Sequence, residues 1–233
     1  MLILRINSIG HFQIFRSSNQ HIVYMHFFQA FEQWWQHQSP IELAGVISGL
    51  LCVYMAAINN IWNWPIAIIS VVLYILIFYE ARLYADMGLQ FYFLVTNIYG
   101  WYYWSKRPAS DVKVPVASIT VKEISWSVIT VLVITPMLGY SLVRLSPILH
   151  YQPAAYPYLD SFCTACSIVA QIFLARKVME TWLIWIFVDV IYVGVYIVKD
   201  LQPTAFMYAV YVVIALLGYL DWRKDYRAQA SSL

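Results

Sequence analysis

Seven mostly apolar stretches follow one another between Pro40 and Trp222 and leave little chain for anything else. A helix needs about 20 apolar residues to cross the hydrocarbon core of a bilayer, and only a helix or a closed barrel satisfies its own backbone groups in lipid. Hydrophobic residues make up 62% of the chain and charged residues 11%, against roughly 25% charged residues in a soluble domain. We therefore predict an all-α integral membrane protein with seven transmembrane helices. The predicted spans are Pro40–Asn59, Trp62–Tyr79, Gly88–Trp104, Ile124–Leu145, Tyr158–Arg176, Trp182–Val198 and Thr204–Trp222.

Basic residues divide unevenly between the two sides that seven spans create. One side holds Arg5, Arg16, Arg82, Arg144 and Lys199. The other side holds Lys106, Arg107, Lys113, Lys122, Arg176, Lys177, Arg223, Lys224 and Arg227. Because cytoplasmic loops carry the excess of lysine and arginine, the second side is predicted to be cytoplasmic. The N-terminus is then outside and the C-terminus inside.

Residues 20–37, before the first span, have a different pattern. Aromatic residues from Tyr24 to Trp35 recur at helical spacing, and histidine, glutamine and glutamate fill the opposite face. This pattern is typical of an amphipathic helix lying in the membrane surface. A helix that docks against the bundle has the same pattern, so both interpretations stay open. The histidines all lie outside the spans, and no metal site or cofactor is predicted.

The sequence also repeats itself at an offset of 118 residues without gaps. Trp64 falls on Trp182, Gly100 on Gly218 and Trp104 on Trp222. Each repeat holds three spans, and the fourth span links them. An even number of crossings separates the two repeats, so they are parallel, as in transporters that bind substrate at the midplane between their halves. The predicted units are an N-terminal segment (1–39), a first repeat (40–104), a linker helix (105–150), a second repeat (151–222) and a tail (223–233).

Polar residues near mid-depth indicate where a ligand would bind. Asp189 lies in the sixth span, and a charge at the bilayer centre usually faces a cavity or a bundle interior. Helical spacing places further side chains on shared stripes. The candidate site residues are Gln90, Asn97 and Trp101 on the third span, Thr164 and Gln171 on the fifth, and Trp182, Trp185, Asp189 and Tyr196 on the sixth.

Each of these residues also has a purely structural interpretation. Amide side chains such as Gln171 join helices by hydrogen bonds. Asp189 can be a structural carboxylate, and Trp182 can be an anchor at the membrane interface. As a site, the same set suits a planar heteroaromatic with a carboxamide, and a carboxylate beside aromatic rings favours a cation.

Four motifs in or next to these spans resemble the PnuC family of bacterial nicotinamide riboside transporters. They are NWP at Asn63–Pro65, YADxxLQ at Tyr84–Gln90, GWYxW at Gly100–Trp104 and WxxW at Trp182–Trp185. The resemblance covers about Pro40 to Trp222. It implies a SWEET-like fold of three plus one plus three helices in the inner membrane of a bacterium. It also implies a homo-oligomer such as a trimer.

The activity implied by this resemblance is facilitated diffusion of nicotinamide riboside, drawn forward by a cytoplasmic kinase that phosphorylates the substrate. In the family, the WxxW motif and the mid-span polar residues bind the substrate. The resemblance therefore implies the same role for Trp182, Trp185, Gln90, Asn97 and Asp189. Related members carry thiamine or riboflavin, and these remain alternative substrates.

Other classes of protein fit less well. A retinal protein needs a lysine in the last span, and Thr204–Trp222 has none. An intramembrane enzyme needs a nucleophile with a base, or a metal cluster, at depth, and no such pattern occurs in the sequence. A structural or receptor-like membrane protein stays open, and it predicts no cavity of substrate size.

Overall fold

The structure is a computed structural model, which describes residues 28–29, 31–32, 34–36, 40–80, 84–106, 114–148 and 156–231. Between residues 40 and 231, the described part of the chain forms seven helices. They are α1 (Pro40–Ala57), α2 (Asn63–Glu80), α3 (Tyr84–Ser105), α4 (Val121–Ile148), α5 (Pro157–Ala175), α6 (Thr181–Val198) and α7 (Gln202–Ala230). Most of the predicted helix over residues 20–37 lies outside the described residues. The described residues between 28 and 36 are helical.

Five of these helices, α2 and α4 to α7, are long and apolar enough to cross a membrane. In α1 the apolar part is shorter, Leu43–Ala57. The surface agrees with a lipid environment, because large apolar side chains such as Leu132 and Val133 of α4 are 68% and 57% exposed. The described part of the chain is therefore almost entirely helical, and its apolar helices are those of a multi-pass membrane protein.

Two helix boundaries differ from the predicted spans by four residues or more. Helix α3 begins at Tyr84, four residues before the predicted Gly88, so the polar Asp86 is helical. Helix α7 continues to Ala230. The predicted tail is therefore helical over most of its length, because residues 223–230 are mostly good helix formers that need no membrane to stay helical.

The helix contacts set up two groups that meet along two seams. Helix α2 packs against α1 and α3, and α6 packs against α5 and α7. Helix α1 contacts α7, and α3 contacts α5. Helix α4 packs against α5 alone among the described helices. The residues between the two groups are the ones that shape the site.

The turns that end α1 and α5 have the same backbone conformation. Asn59 and Lys177, which are 118 residues apart in sequence, both adopt positive φ, 56° and 57°. Next to them, Asn60 N donates to Met55 O (2.9 Å) and Val178 N donates to Phe173 O (2.9 Å). These are the six-to-one hydrogen bonds of a helix end with a left-handed residue. The two turns start α2 and α6 in equivalent ways.

A short extended segment before α4 is fastened to the turn between α5 and α6. Ala117 forms a parallel bridge with Val178. The Glu180 carboxylate accepts hydrogen bonds from Ser118 Oγ (2.6 Å) and Ile119 N (2.9 Å). Thr120 and Glu123 then cap α4 reciprocally. The N-terminal end of α4 is thus held by polar contacts to the α5–α6 turn.

Candidate functional site

A cavity of about 390 Å³ lies between the two groups of helices. This volume falls within the range of about 300–1,000 Å³ that is usual for small-molecule sites. Six of the seven labelled helices, all except α4, contribute to its wall. The cavity therefore depends on how the two groups meet.

Tryptophans form one end of the cavity. Trp64 and Trp182 line it and are each 1% exposed. Each tryptophan lies near the start of its helix, α2 or α6, and packs against a glycine of the next helix, α3 or α7. A Cβ at Gly100 would come within 2.3 Å of the Trp64 ring, and one at Gly218 within 2.7 Å of the Trp182 ring. Only glycine leaves room for an indole in these places, which explains why both residue types recur at the same offset.

An amide pair joins the groups along the α3–α5 seam. Gln171 Nε2 donates to Asn97 Oδ1 at 2.7 Å, and both side chains are buried and line the cavity. The residues at the equivalent places on the α1–α7 seam are Val53 and Ala215, which also line the cavity. The cavity thus has a polar seam and an apolar seam. A ligand with one polar edge and one apolar edge would fit in one orientation.

Asp189 provides the charge in the cavity wall. Its side chain is 6% exposed. In the described part of the chain, the Asp189 carboxylate has no hydrogen-bond or ion-pair partner. A buried carboxylate without a partner is costly, and a bound cation or a proton removes that cost. The position of the group therefore favours a positively charged ligand.

Tyrosines form much of the remaining wall. Tyr192, Tyr208 and Tyr211 all line the cavity. The Tyr192 and Tyr208 rings lie 5.0 Å apart, and the Tyr208 and Tyr211 rings lie 6.0 Å apart. Flat aromatic walls next to a carboxylate are typical of sites for cationic rings.

The structure brings seven of the nine predicted site residues to the cavity. They are Gln90, Asn97, Thr164, Gln171, Trp182, Trp185 and Asp189. Trp101 is 43% exposed and lies outside the lining, because α3 turns Asn97, Gly100 and Trp104 inward instead. Tyr196 also lies outside the lining, where it stacks on Tyr208 at 5.3 Å.

Sequence reasoning missed several lining residues. Trp64 and Tyr208 are the counterparts of Trp182 and Gln90 at the 118-residue offset, and both line the cavity. Applying the offset to each predicted site residue would have found them. The apolar counterparts of Asn97, Gln171 and Asp189, which are Ala215, Val53 and Val71, have no distinctive chemistry in the sequence.

Comparisons with known proteins agree on one family. The sequence profile described as nicotinamide mononucleotide transporter matches residues 39–224. The chain is 31% identical over 217 residues to the nicotinamide riboside transporter PnuC of Escherichia coli K12, covering 83% of this chain and 89% of that protein. It is 28% identical over 205 residues to the riboflavin/roseoflavin transporter RibM of Streptomyces davaonensis, covering 85% and 93%.

A solved structure shows the same fold. The crystal structure of the vitamin B3 transporter PnuC superposes with a TM-score of 0.62 and 23% identity, covering 88% of this chain and 90% of that one. At this identity, the likeness concerns the fold alone.

Proposed function

Because the chain belongs to the nicotinamide mononucleotide transporter family, a family of transporters and not of enzymes, we propose that it carries nicotinamide riboside across the cytoplasmic membrane. The observation that carries this proposal is the cavity in which the unpartnered Asp189 faces aromatic walls and an amide pair. Nicotinamide riboside combines a flat cationic ring with a carboxamide. The carboxylate suits the charge and the rings suit the flat face. Asn97 and Gln171 suit the carboxamide.

The cavity chemistry favours the nucleoside over its phosphorylated form. No lysine or arginine is among the described residues that line the cavity. A phosphate group would enter a site whose only charged lining residue in the described part is Asp189, and like charges repel. The mononucleotide is therefore expected to bind much more weakly than the nucleoside.

We propose further that the fold consists of two parallel three-helix units, α1–α3 and α5–α7, with α4 as the linker. The matched turns at Asn59 and Lys177 and the matched tryptophan–glycine contacts support this duplication. Transport then proceeds by alternating access, in which the two units rock around the cavity. No ion gradient is required, and phosphorylation of the substrate by a cytoplasmic kinase draws uptake forward. The predicted orientation, with the C-terminus inside, and the predicted homo-oligomer remain part of this proposal.

Riboflavin is the second candidate substrate, because the similarity to RibM covers 93% of that protein. Thiamine, which is a cation like nicotinamide riboside, is the third candidate substrate. A titration of purified protein with nicotinamide riboside, nicotinamide mononucleotide, riboflavin and thiamine separates these candidates. We expect the tightest binding for nicotinamide riboside, and tighter binding of riboflavin would replace the proposed substrate.

Proteoliposomes test the mechanism. Uptake of radiolabelled nicotinamide riboside should equilibrate without any ion gradient and should rise above equilibrium when a kinase and ATP are enclosed. Uptake that needs a proton or sodium gradient would contradict facilitated diffusion.

A further inference from the structure

Two similar contacts, whose tryptophan donors are 118 residues apart, cross between the helix groups at the tryptophan end of the cavity. Trp104 Nε1 of α3 donates to Ala175 O at the end of α5 (3.2 Å). Trp222 Nε1 of α7 donates to Ala56 O at the end of α1 (3.2 Å). Each third helix thus binds the carbonyl end of the first helix of the opposite group. We call these two contacts the tryptophan clasps.

The left-handed turn residues reinforce the clasps. Asn59 Nδ2 donates to Asp225 Oδ2 (3.0 Å), beside the Trp222 clasp. The Lys177 ammonium lies 4.3 Å from the centre of the Trp104 ring, beside the other clasp. Asn59 and Lys177 occupy equivalent places, so each turn reaches across to the opposite third helix.

Trp104 and Trp222 lie behind the cavity wall and form a continuous layer of four indoles with the lining residues Trp64 and Trp182. The Trp64 and Trp104 rings meet edge to face at 5.3 Å, and the Trp182 and Trp222 rings do so at 5.5 Å. Trp104 and Trp222 meet each other at 5.7 Å across the boundary between the groups. Both are buried, at 7% and 0% exposed. A ligand in the cavity cannot leave at this end unless the layer separates.

The indole layer is held more firmly within each helix group than between the two groups, so it separates between the groups. Within each group, an indole fills the space left by a glycine, and this packing holds wherever the group moves. Between the groups, the layer is linked by the two clasp hydrogen bonds, the Trp104–Trp222 ring contact and the packing of small side chains such as Ala56 and Ala175. The indole N–H groups of Trp64 and Trp182 are buried and lack acceptors among the described residues. A second state in which these donors meet water or ligand offsets the loss of the clasps.

We propose that the tryptophan clasps are the gate at this end of the cavity, and that the structure shows it closed. This inference rests on the proposed transport function. The gate is at the end where α3 and α7 finish, which the distribution of basic residues predicts to be cytoplasmic. Opening requires both clasps to break together.

Cys52 offers a direct test, because it lines the cavity whereas Cys163 and Cys166 are buried in the α5 core. In a Cys163→Ala/Cys166→Ala background, the Cys52 thiol is labelled with a membrane-impermeant methanethiosulfonate from each side of oriented vesicles. Trp104→Phe and Trp222→Phe keep a ring and remove the N–H. We expect labelling from the clasp end to be about fivefold faster for each lost hydrogen bond and about 25-fold faster for both. Trp101→Phe, on the exposed face of α3, is the matched control and should change nothing.

Asp225→Ala loosens one clasp without touching the buried indoles and should also speed labelling from the clasp end. Unchanged labelling from the clasp end in the double tryptophan variant, or an equal increase from both ends, would overturn the gate. This readout needs no substrate. If labelling responds as expected but nicotinamide riboside does not bind the parent protein, the gate stands and the proposed substrate fails.

Discussion

Gly218 of α7 leaves the space that the Trp182 ring of α6 occupies, and a Cβ at Gly218 would come within 2.7 Å of that ring. The ring is fully buried between the two helices and cannot move aside without disturbing the Trp222 contact. We expect Gly218→Ala to lower the free energy of unfolding by about 1–3 kcal/mol, which is typical of overpacking. Thermal unfolding in detergent measures this change.

Gly194 of α6 is the matched control for this substitution, because no atom lies within 4 Å of a Cβ placed there. Gly194→Ala should be neutral or stabilising by about 0.5–1 kcal/mol, since alanine favours a helix. Equal effects at Gly194 and Gly218 would show that the space beside Trp182 is not tightly filled.

Two of the three tryptophans that the sequence places near a ligand differ in their surroundings. Trp185 lines the cavity, and Trp101 is exposed on the outer face of α3. We expect Trp185→Ala to weaken nicotinamide riboside binding by about 2–4 kcal/mol, as for a buried aromatic contact. Trp101→Ala should leave binding unchanged. Calorimetry on the two folded variants compares them, and unchanged binding in Trp185→Ala would remove that residue from the site.

The sequence predicts the helices well because membrane spans are set by long apolar stretches, as for α5 and α6. Which side of each helix faces the cavity is harder to predict. The stripe through Asn97 and Trp101 is as regular as the stripe through Asn97, Gly100 and Trp104, and only packing against Trp64 decides between them. A glycine carries no hydropathy signal for the indole that it accommodates. Apolar lining residues such as Val71 also cannot be distinguished from other apolar residues in a sequence that is mostly apolar.

The charge of Asp189 is expected to select the charge of the ligand. Asp189→Asn keeps the size and the polarity of the side chain and removes the negative charge. It should weaken binding of nicotinamide riboside by about 2 kcal/mol or more, because a buried charge then loses its partner. Binding of the reduced, uncharged form of the same nucleoside should change much less.

Asp221→Asn on the exposed surface of α7 controls for a general change in charge and should affect neither ligand. Equal losses for both ligands in Asp189→Asn would assign Asp189 a structural role.

The amide pair across the α3–α5 seam should behave as one unit. Asn97→Ala and Gln171→Ala each leave the partner amide buried without its hydrogen bond, so the second substitution should cost less than the first. A double-mutant cycle on thermal unfolding should give a coupling energy of about 0.5–3 kcal/mol. A cycle between Asn97 and Gln202, which lies at the start of α7, should be additive within about 0.5 kcal/mol. Additivity between Asn97 and Gln171 would mean that their contact does not hold the seam together.

A substitution of Glu180 should change the stability of the protein without changing ligand binding. Its carboxylate holds the segment before α4 through Ser118 and Ile119, and it lies outside the cavity lining. Glu180→Ala should destabilise the protein by about 1.5–3 kcal/mol for the charged hydrogen bonds that it loses. Hydrogen exchange over residues 114–120 should become faster. The affinity for nicotinamide riboside should stay within about twofold of that of the parent protein. A twofold change is a difference in binding free energy below about 0.5 kcal/mol, which is within the error of comparing two variants. Glu80→Ala, at the exposed end of α2, should alter neither exchange nor stability. A large loss of binding in Glu180→Ala would mean that α4 supports the cavity through α5 and is more than a linker.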